Sequence, residues 1–203
     1  MSSSPSSPPS VLVVMADGSE EMESVIPIDV LRRARASVIV AAVCDSGKTL
    51  TCSRGVRIEA DVRLDDLLDA SSTSPSFDLV IVPGGMPGAS NLAASEPLRS
   101  LLLAQNSRGA WVAAICAAPA VVLAPLGIVK GRRATCHPAF AKDLESAQGG
   151  CSEDRVVVEH EAKIVTSRGP GTAMEFALEC VEVLFGKETR EEVAKPMVIM
   201  PAM

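Results

Sequence analysis

The sequence predicts an α/β sandwich, doubly wound around a mostly parallel sheet with helices on both faces. Two observations carry this. Short apolar runs without polar alternation recur along the chain, the mark of strands covered on both faces. Between them lie segments whose apolar residues recur at helical spacing. The strand candidates are residues 11–15, 38–43, 79–82, 111–115 and 164–166, and the helix candidates are 20–35, 89–105, 117–126 and 172–185. Residues 50–60, with Cys52-Ser53-Arg54-Gly55 inside, read as a small hairpin, and His160 sits in what reads as a solvated hairpin turn. In such a fold, ligand sites are expected at the carboxyl ends of the strands.

The chain of 203 residues suits one compact domain. Residues 1–10 are Ser/Pro-rich and are expected to form a disordered tail, leaving 11–203 as the domain. That tail has neither the apolar core of a secretory signal nor the arginines of a transit peptide, so a cytoplasmic protein is expected. A net charge of −6 argues against nucleic acid as a partner. No apolar run approaches the roughly 20 residues that span a bilayer. The 2% aromatic content leaves few platforms for bases or planar cofactors, and the core must be built from Val, Leu, Ile and Ala. Cys44, Cys52, Cys116, Cys136, Cys151 and Cys180 form no CxxC pair, which fits reduced thiols better than zinc or a disulfide framework.

Chemistry gathers at the strand ends. The run Trp111-Val112-Ala113-Ala114-Ile115-Cys116-Ala117-Ala118 places a thiol on a strand-to-helix turn, the layout of a nucleophile elbow, with small residues two before and two after it. A helix N-terminus there should favour the thiolate and lower its pKa. After residues 11–15 come Ser19, an expected N-cap, and Glu20, Glu21 and Glu23 in the first helical turn. Glu20 and Glu21 are accounted for as partners of the helix dipole. Glu23 differs, because Pro27 cannot donate to its carbonyl and the helix should bend there. An inward carboxyl beside a thiol would hold its proton and serve as general acid or base. After residues 79–82, Pro83-Gly84-Gly85 supplies free backbone N–H groups, the ingredients of an oxyanion hole. His137, in Thr135-Cys136-His137-Pro138, is the histidine better placed for a site. Ser167-Arg168-Gly169-Pro170-Gly171-Thr172 reads as a structural turn with some pocket contact.

Together, Glu20-Glu21-Met22-Glu23-Ser24-Val25-Ile26-Pro27, Pro83-Gly84-Gly85, Ala113-Ala114-Ile115-Cys116-Ala117 and Thr166-Ser167-Arg168-Gly169-Pro170-Gly171 resemble the DJ-1 branch of the DJ-1/PfpI family. The resemblance implies a flavodoxin-like three-layer sandwich, a homodimer and no cofactor. It implies a glutathione-independent glyoxalase (glyoxalase III, a lyase also described as a D-lactate dehydratase) acting on small 2-oxoaldehydes, with protein deglycation as a related activity. Cys116 then matches the nucleophile, Glu23 its protonated partner and His137 the pocket histidine. Gly84, Gly85 and Ala117 match the oxyanion-binding positions, and Arg33 and Arg54 the anion-binding ones. Cys52 matches a family cysteine near the dimer interface, whereas another family cysteine is Glu59 here. Met22, Val25 and Ile28 offer an apolar contact face. The alternative reading is a redox-sensing chaperone that oxidises the same Cys116. Peptidase activity ranks low, since the family's other branch places His after the nucleophile and this chain has Ala117.

Overall fold

The computed structural model describes residues 7–70, 75–148 and 150–199. Of the Ser/Pro-rich segment, residues 1–6 lie outside the described residues, and Ser10 already belongs to the first strand. In chain order the first half contains β1 (Ser10–Met15), α1 (Glu21–Arg33), β2 (Ser37–Ala42), β3 (Thr49–Thr51), β4 (Arg57–Glu59), β5 (Val62–Arg63) and α2 (Leu64–Asp69). Next come β6 (Leu79–Val82), α3 (Gly88–Ala94), α4 (Glu96–Ser107) and β7 (Trp111–Ile115). The last third contributes α5 (Ala141–Gln148), β8 (Val156–Glu159), β9 (Ile164–Ser167), α6 (Ala173–Phe185) and α7 (Lys187–Ala194).

Seven strands form one sheet in the order β5-β2-β1-β6-β7-β9-β8, while β3 and β4 make the separate hairpin. All pairings in the main sheet are parallel except β8 with β9. The cause lies in the sequence of the strands. Val11 to Met15 and Leu79 to Val82 are unbroken apolar runs with no solvent exposure at all, so both faces must be covered. One cover is α1 packed on α6, with α6 against α7; the other contains α2, α3 and α4, with α5 joined through the 119–123 turn. This is a mostly parallel three-layer sandwich of the flavodoxin-like kind, as the sequence implies.

Two expected helices differ. Residues 89–105 form not one helix but α3 and α4, because Ser95 takes an extended conformation and its side chain accepts a hydrogen bond from Leu98 N, capping a new helix with proline in its first turn. The helix expected over 117–126 is reduced to a single π turn, Pro119–Leu123, in which Ala124 N bonds to Pro119 O. Pro119 and Pro125 each lack the N–H that a longer helix would use.

Sheet order reverses between β1 and β6: β2 lies on one side of β1 and β6, β7 and β9 lie on the other. Crevices form at the carboxyl ends of strands at such a switch point. Here the loops after β1 and β6 interlock main chain to main chain. A Cβ on Gly88 would lie 2.3 Å from Ser19 N, and one on Gly85 would lie 2.5 Å from Glu20 N. Gly88→Ala should therefore destabilise the protein by about 2–3 kcal/mol, since backbone rather than a mobile side chain must yield. Gly171→Ala, where nothing lies within 4 Å, should cost less than about 0.5 kcal/mol. Urea midpoints of the two variants check this contrast, and equal midpoints would refute it.

Candidate active site

Three loops converge at the switch point. The first, after β1, is closed by Ser19, whose Oγ accepts from Ala16 N at 3.0 Å. Ser19 is thus not the helix cap that was expected. Glu20 caps α1, its Oε2 accepting from Glu23 N at 2.9 Å, while its own N–H donates to Gly84 O at 3.1 Å. Glu21 is more than a dipole partner. It accepts from Ser53 Oγ (2.9 Å), Arg54 N (2.8 Å) and Val56 N (3.3 Å), holding the β3–β4 hairpin to the start of α1.

Glu23 is fully buried. The bend expected at Pro27 does not set its direction, for α1 runs unbroken through Pro27. Glu23, Pro27, Val30 and Leu31 are all buried and recur at i, i+4, i+7 and i+8, so the carboxyl sits on the helix's own inward stripe. Gly84 N donates to Oε2 at 2.9 Å. Oε1 is buried with no hydrogen-bond partner among the described residues.

Cys116 occupies the turn after β7 with φ of 65°, a conformation rarely held by a residue with a side chain. Its N–H donates to Ser167 O at 2.9 Å, and its carbonyl accepts from His137 N at 2.8 Å. Two neighbouring loops thereby fix the strained residue from both sides. The elbow is crowded: a Cβ on Gly84 would lie 2.7 Å from Cys116 Cβ, 2.9 Å from Ala117 N and 2.9 Å from Glu23 Oε2. Only glycine at position 84 lets these groups meet.

Electrostatics correct one expectation. The turn does not by itself lower the pKa of Cys116. Burial first, and then the Glu23 charge, push the thiol up to about 12, while the amides of Gly85 and Ala117 favour the sulfur anion. The reason is that a buried sulfur meets only one short π turn rather than the end of a long helix. The same burial pushes Glu23 up to about 7, opposed by contact with the Cys116 thiol and by Gly84 N–H. Carboxyl and thiol are consequently one titrating pair, which loses its first proton near neutrality and keeps the second far into the alkaline range.

His137 is half-buried beside this pair. Its Nδ1 accepts from Ala139 N at 3.2 Å, and its ring packs edge-on against Phe140. In the neutral ring that acceptor role leaves the proton on Nε2. No hydrogen bond joins the imidazole to Cys116 or Glu23 among the described residues. The loop after β9 closes the far side: a Cβ on Gly169 would lie 3.4 Å from His137 Cδ2, so the pocket contact expected of 167–172 is present. The hairpin turn assigned to His160 is also present, with its ring edge-on to Trp111.

Arg33 is not brought to the sulfur within one chain. It lies ten residues along α1 from Glu23, about 15 Å at helical rise, and its Nε donates to Asp29 Oδ2 at 2.7 Å. Arg54 rides on the hairpin turn with its guanidinium exposed, and only its main-chain amide reaches Glu21. Sequence reasoning missed the anchoring by Glu21 and the grip of Ser167 O on Cys116, because both depend on residues distant in sequence. Among the described residues no group of three or more His, Cys, Asp or Glu side chains could hold a metal ion.

Titration of the pair has a direct readout. Alkylation of Cys116 by iodoacetamide should rise about tenfold per pH unit below 7 and flatten above it, as loss of the first proton creates the form in which thiolate and carboxylic acid can coexist. In Glu23→Gln that inflection should disappear. A profile rising steadily through pH 9 in the unaltered protein would refute the coupling.

Comparison with known proteins identifies the family and the fold. The DJ-1/PfpI family profile matches residues 9–183. The chain is 43% identical to Protein DJ-1 homolog B of Arabidopsis thaliana over 94% of its own length, although it spans only 41% of that protein. It is 38% identical to the glutathione-independent glyoxalase DJR-1.2 of Caenorhabditis elegans, covering 92% of this chain and 94% of that one. The crystal structure of Drosophila melanogaster DJ-1beta superposes with a TM-score of 0.87 at 40% identity, covering 96% of this chain and all of the other. By family match, identity and shared fold alike, the chain belongs to the DJ-1/PfpI family.

Proposed function

We propose that the protein is a glutathione-independent glyoxalase that converts methylglyoxal to lactate and glyoxal to glycolate. The observation that supports this best is the Glu23–Cys116 pair beneath the Gly85 and Ala117 amides. In the one-proton form, the sulfur adds to the aldehyde carbon and the Glu23 proton passes to the carbonyl oxygen, giving a hemithioacetal. The Gly85 and Ala117 amides, which favour the sulfur anion, would donate to the developing oxyanion in this scheme. Glu23, now a carboxylate, takes the proton from C1, and the resulting enediol is reprotonated at C2. The product is a thioester, so C1 is oxidised and C2 reduced within one molecule. Water releases lactate and restores the thiol. His137 Nε2 is free to donate to the C2 oxygen through the enediol step. The scheme uses no cofactor and no glutathione, and protein deglycation would use the same sulfur.

The glyoxalase name of the nematode relative favours this reading. Arg54 would draw the carboxylate product, whereas Arg33 has no part in it within a single chain. The reading includes a cytoplasmic homodimer. Met22 and Val25 are 48% and 46% exposed on α1, a contact face of the required kind. No helix among the described residues is long and apolar enough to cross a membrane. A second reading, oxidation of Cys116 to a sulfinate in a redox-sensing chaperone, is favoured by the same amide donors and by the buried Glu23 Oε1, which has no hydrogen-bond partner among the described residues.

With methylglyoxal and no glutathione, Cys116→Ala should fall to background, and lactate formation surviving in that variant would defeat the proposal. Glu23→Gln should lower kcat/KM by about 100-fold or more. Selective gain of two oxygens at Cys116 under mild peroxide, together with negligible aldehyde turnover, would favour the sensor instead. Sedimentation should find a dimer that Val25→Lys converts to monomer; an unchanged sedimentation coefficient would remove this face from the interface.

A further inference from the structure

Behind His137 lies a pair of thiols that the aldehyde chemistry does not use. Cys136 Sγ and Cys151 Sγ are 3.9 Å apart. Their strands of chain are pinned side by side: Ser152 N donates to Ala134 O at 2.8 Å and Thr135 Oγ1 donates to Ser152 O at 2.7 Å. A disulfide needs about 2.05 Å between sulfurs, so closure asks for roughly 2 Å of approach. Each sulfur's other contact is weak, Cys136 with His137 O at 3.4 Å and Cys151 with Ser152 O at 3.6 Å. Neither would resist side-chain rotation.

The two thiols differ in access. Cys136 is 1% exposed, whereas Cys151 is half-buried and lines an open cavity of about 460 Å³ together with Arg132, Arg133 and Ser152. Arg133 is paired with Asp154, but the exposed Arg132 side chain makes no hydrogen bond or ion pair among the described residues. A bulky oxidant bearing carboxylates can reach Cys151 from this cavity and cannot reach Cys136 directly.

We propose that Cys136 and Cys151 form a redox-active dithiol, separate from Cys116, that is oxidised by a disulfide of an anionic low-molecular-weight thiol such as glutathione disulfide. Cys151 thiolate attacks one sulfur of the reagent, forming a mixed disulfide and releasing one glutathione thiolate, which carries off a proton. Cys136 then gives up its proton and attacks the Cys151 sulfur, expelling the second glutathione. Two protein thiols lose two electrons and two protons in all, and one glutathione disulfide becomes two glutathiones. Burial holds the Cys136 thiol protonated, with the Arg168 cation acting against it, which suits a group that attacks second and only within the molecule. This goes beyond the glyoxalase reading and does not depend on it.

The test uses the full chain and its Cys116→Ala variant, incubated with excess glutathione disulfide, blocked with N-ethylmaleimide and digested with trypsin without reduction. Cleavage at Arg133, Lys142 and Arg155 separates Cys136 and Cys151 into peptides 134–142 and 143–155. In both proteins these should emerge mainly as one species two hydrogens lighter than their sum, returning to separate peptides after dithiothreitol. Cys151→Ser should leave Cys136 free of both glutathione and disulfide. The proposal is overturned if Cys151 accumulates as a stable glutathione adduct beside an unreacted Cys136. It is equally overturned if the half-buried Cys44 is modified while the pair stays reduced, or if closure fails in Cys116→Ala.

Discussion

Glu23 is carried by a helix and Cys116 by the turn after β7 on the other side of the switch point, and they meet because the loops between them touch through glycines. Glu20 N–H reaches Gly84 O across that seam, and Gly84 N–H reaches back to the Glu23 carboxylate. Gly84, Gly85 and Gly88 each face a neighbour at a distance that a Cβ could not occupy. The site is therefore a consequence of backbone contact first and of side-chain chemistry second. The apolar sheet supplies the rigidity that makes such a contact reproducible, since β1 and β6 lie beneath it with no exposed residue from Val11 to Met15.

That arrangement is held against an opposing free energy. Raising the Glu23 pKa from 4.5 to about 7 means that the folded state retains the proton more firmly than the unfolded chain does. Stability from this source is complete below 4.5 and is lost as pH rises through 7, a change of roughly 3 kcal/mol at full ionisation. Cys116 adds the strain of a left-handed backbone, of order 1–3 kcal/mol. Against a typical net stability of about 5–15 kcal/mol these are large terms. They are tolerated because the surrounding hydrogen bonds to Ser167 and His137 leave the elbow no alternative conformation.

The sequence disclosed the parts of the fold that depend on local pattern. Central strands were legible as unbroken runs, and β6 and β7 match their expected bounds. The two-residue β5 and short α2 carry no period long enough to read, and they exist through pairing and packing with β2. The split at Ser95 was written in Ser95-Glu96-Pro97, a capping signature hidden within a longer apolar period. At the site, Cys116 and Gly84-Gly85 could be located because strand ends are places, whereas Arg33 could not, because a helix's length separates its two ends in space. The thiol's ionisation is not legible in the sequence for a physical reason: a helix terminus is visible there, but the depth of burial that outweighs it is not.

One remaining feature concerns observation of the molecule itself. Trp111 is the chain's single tryptophan and there is no tyrosine, so emission excited at the red edge of the indole band arises from one side chain. It begins β7, the strand whose opposite end leads into Cys116, and its indole meets the His160 ring at a centroid separation of 5.9 Å. Light from this protein thus reports on the seam between the central strand and the β8–β9 turn. Denaturation can be followed optically from the far end of the strand while the thiol end is occupied by whatever reagent is under study.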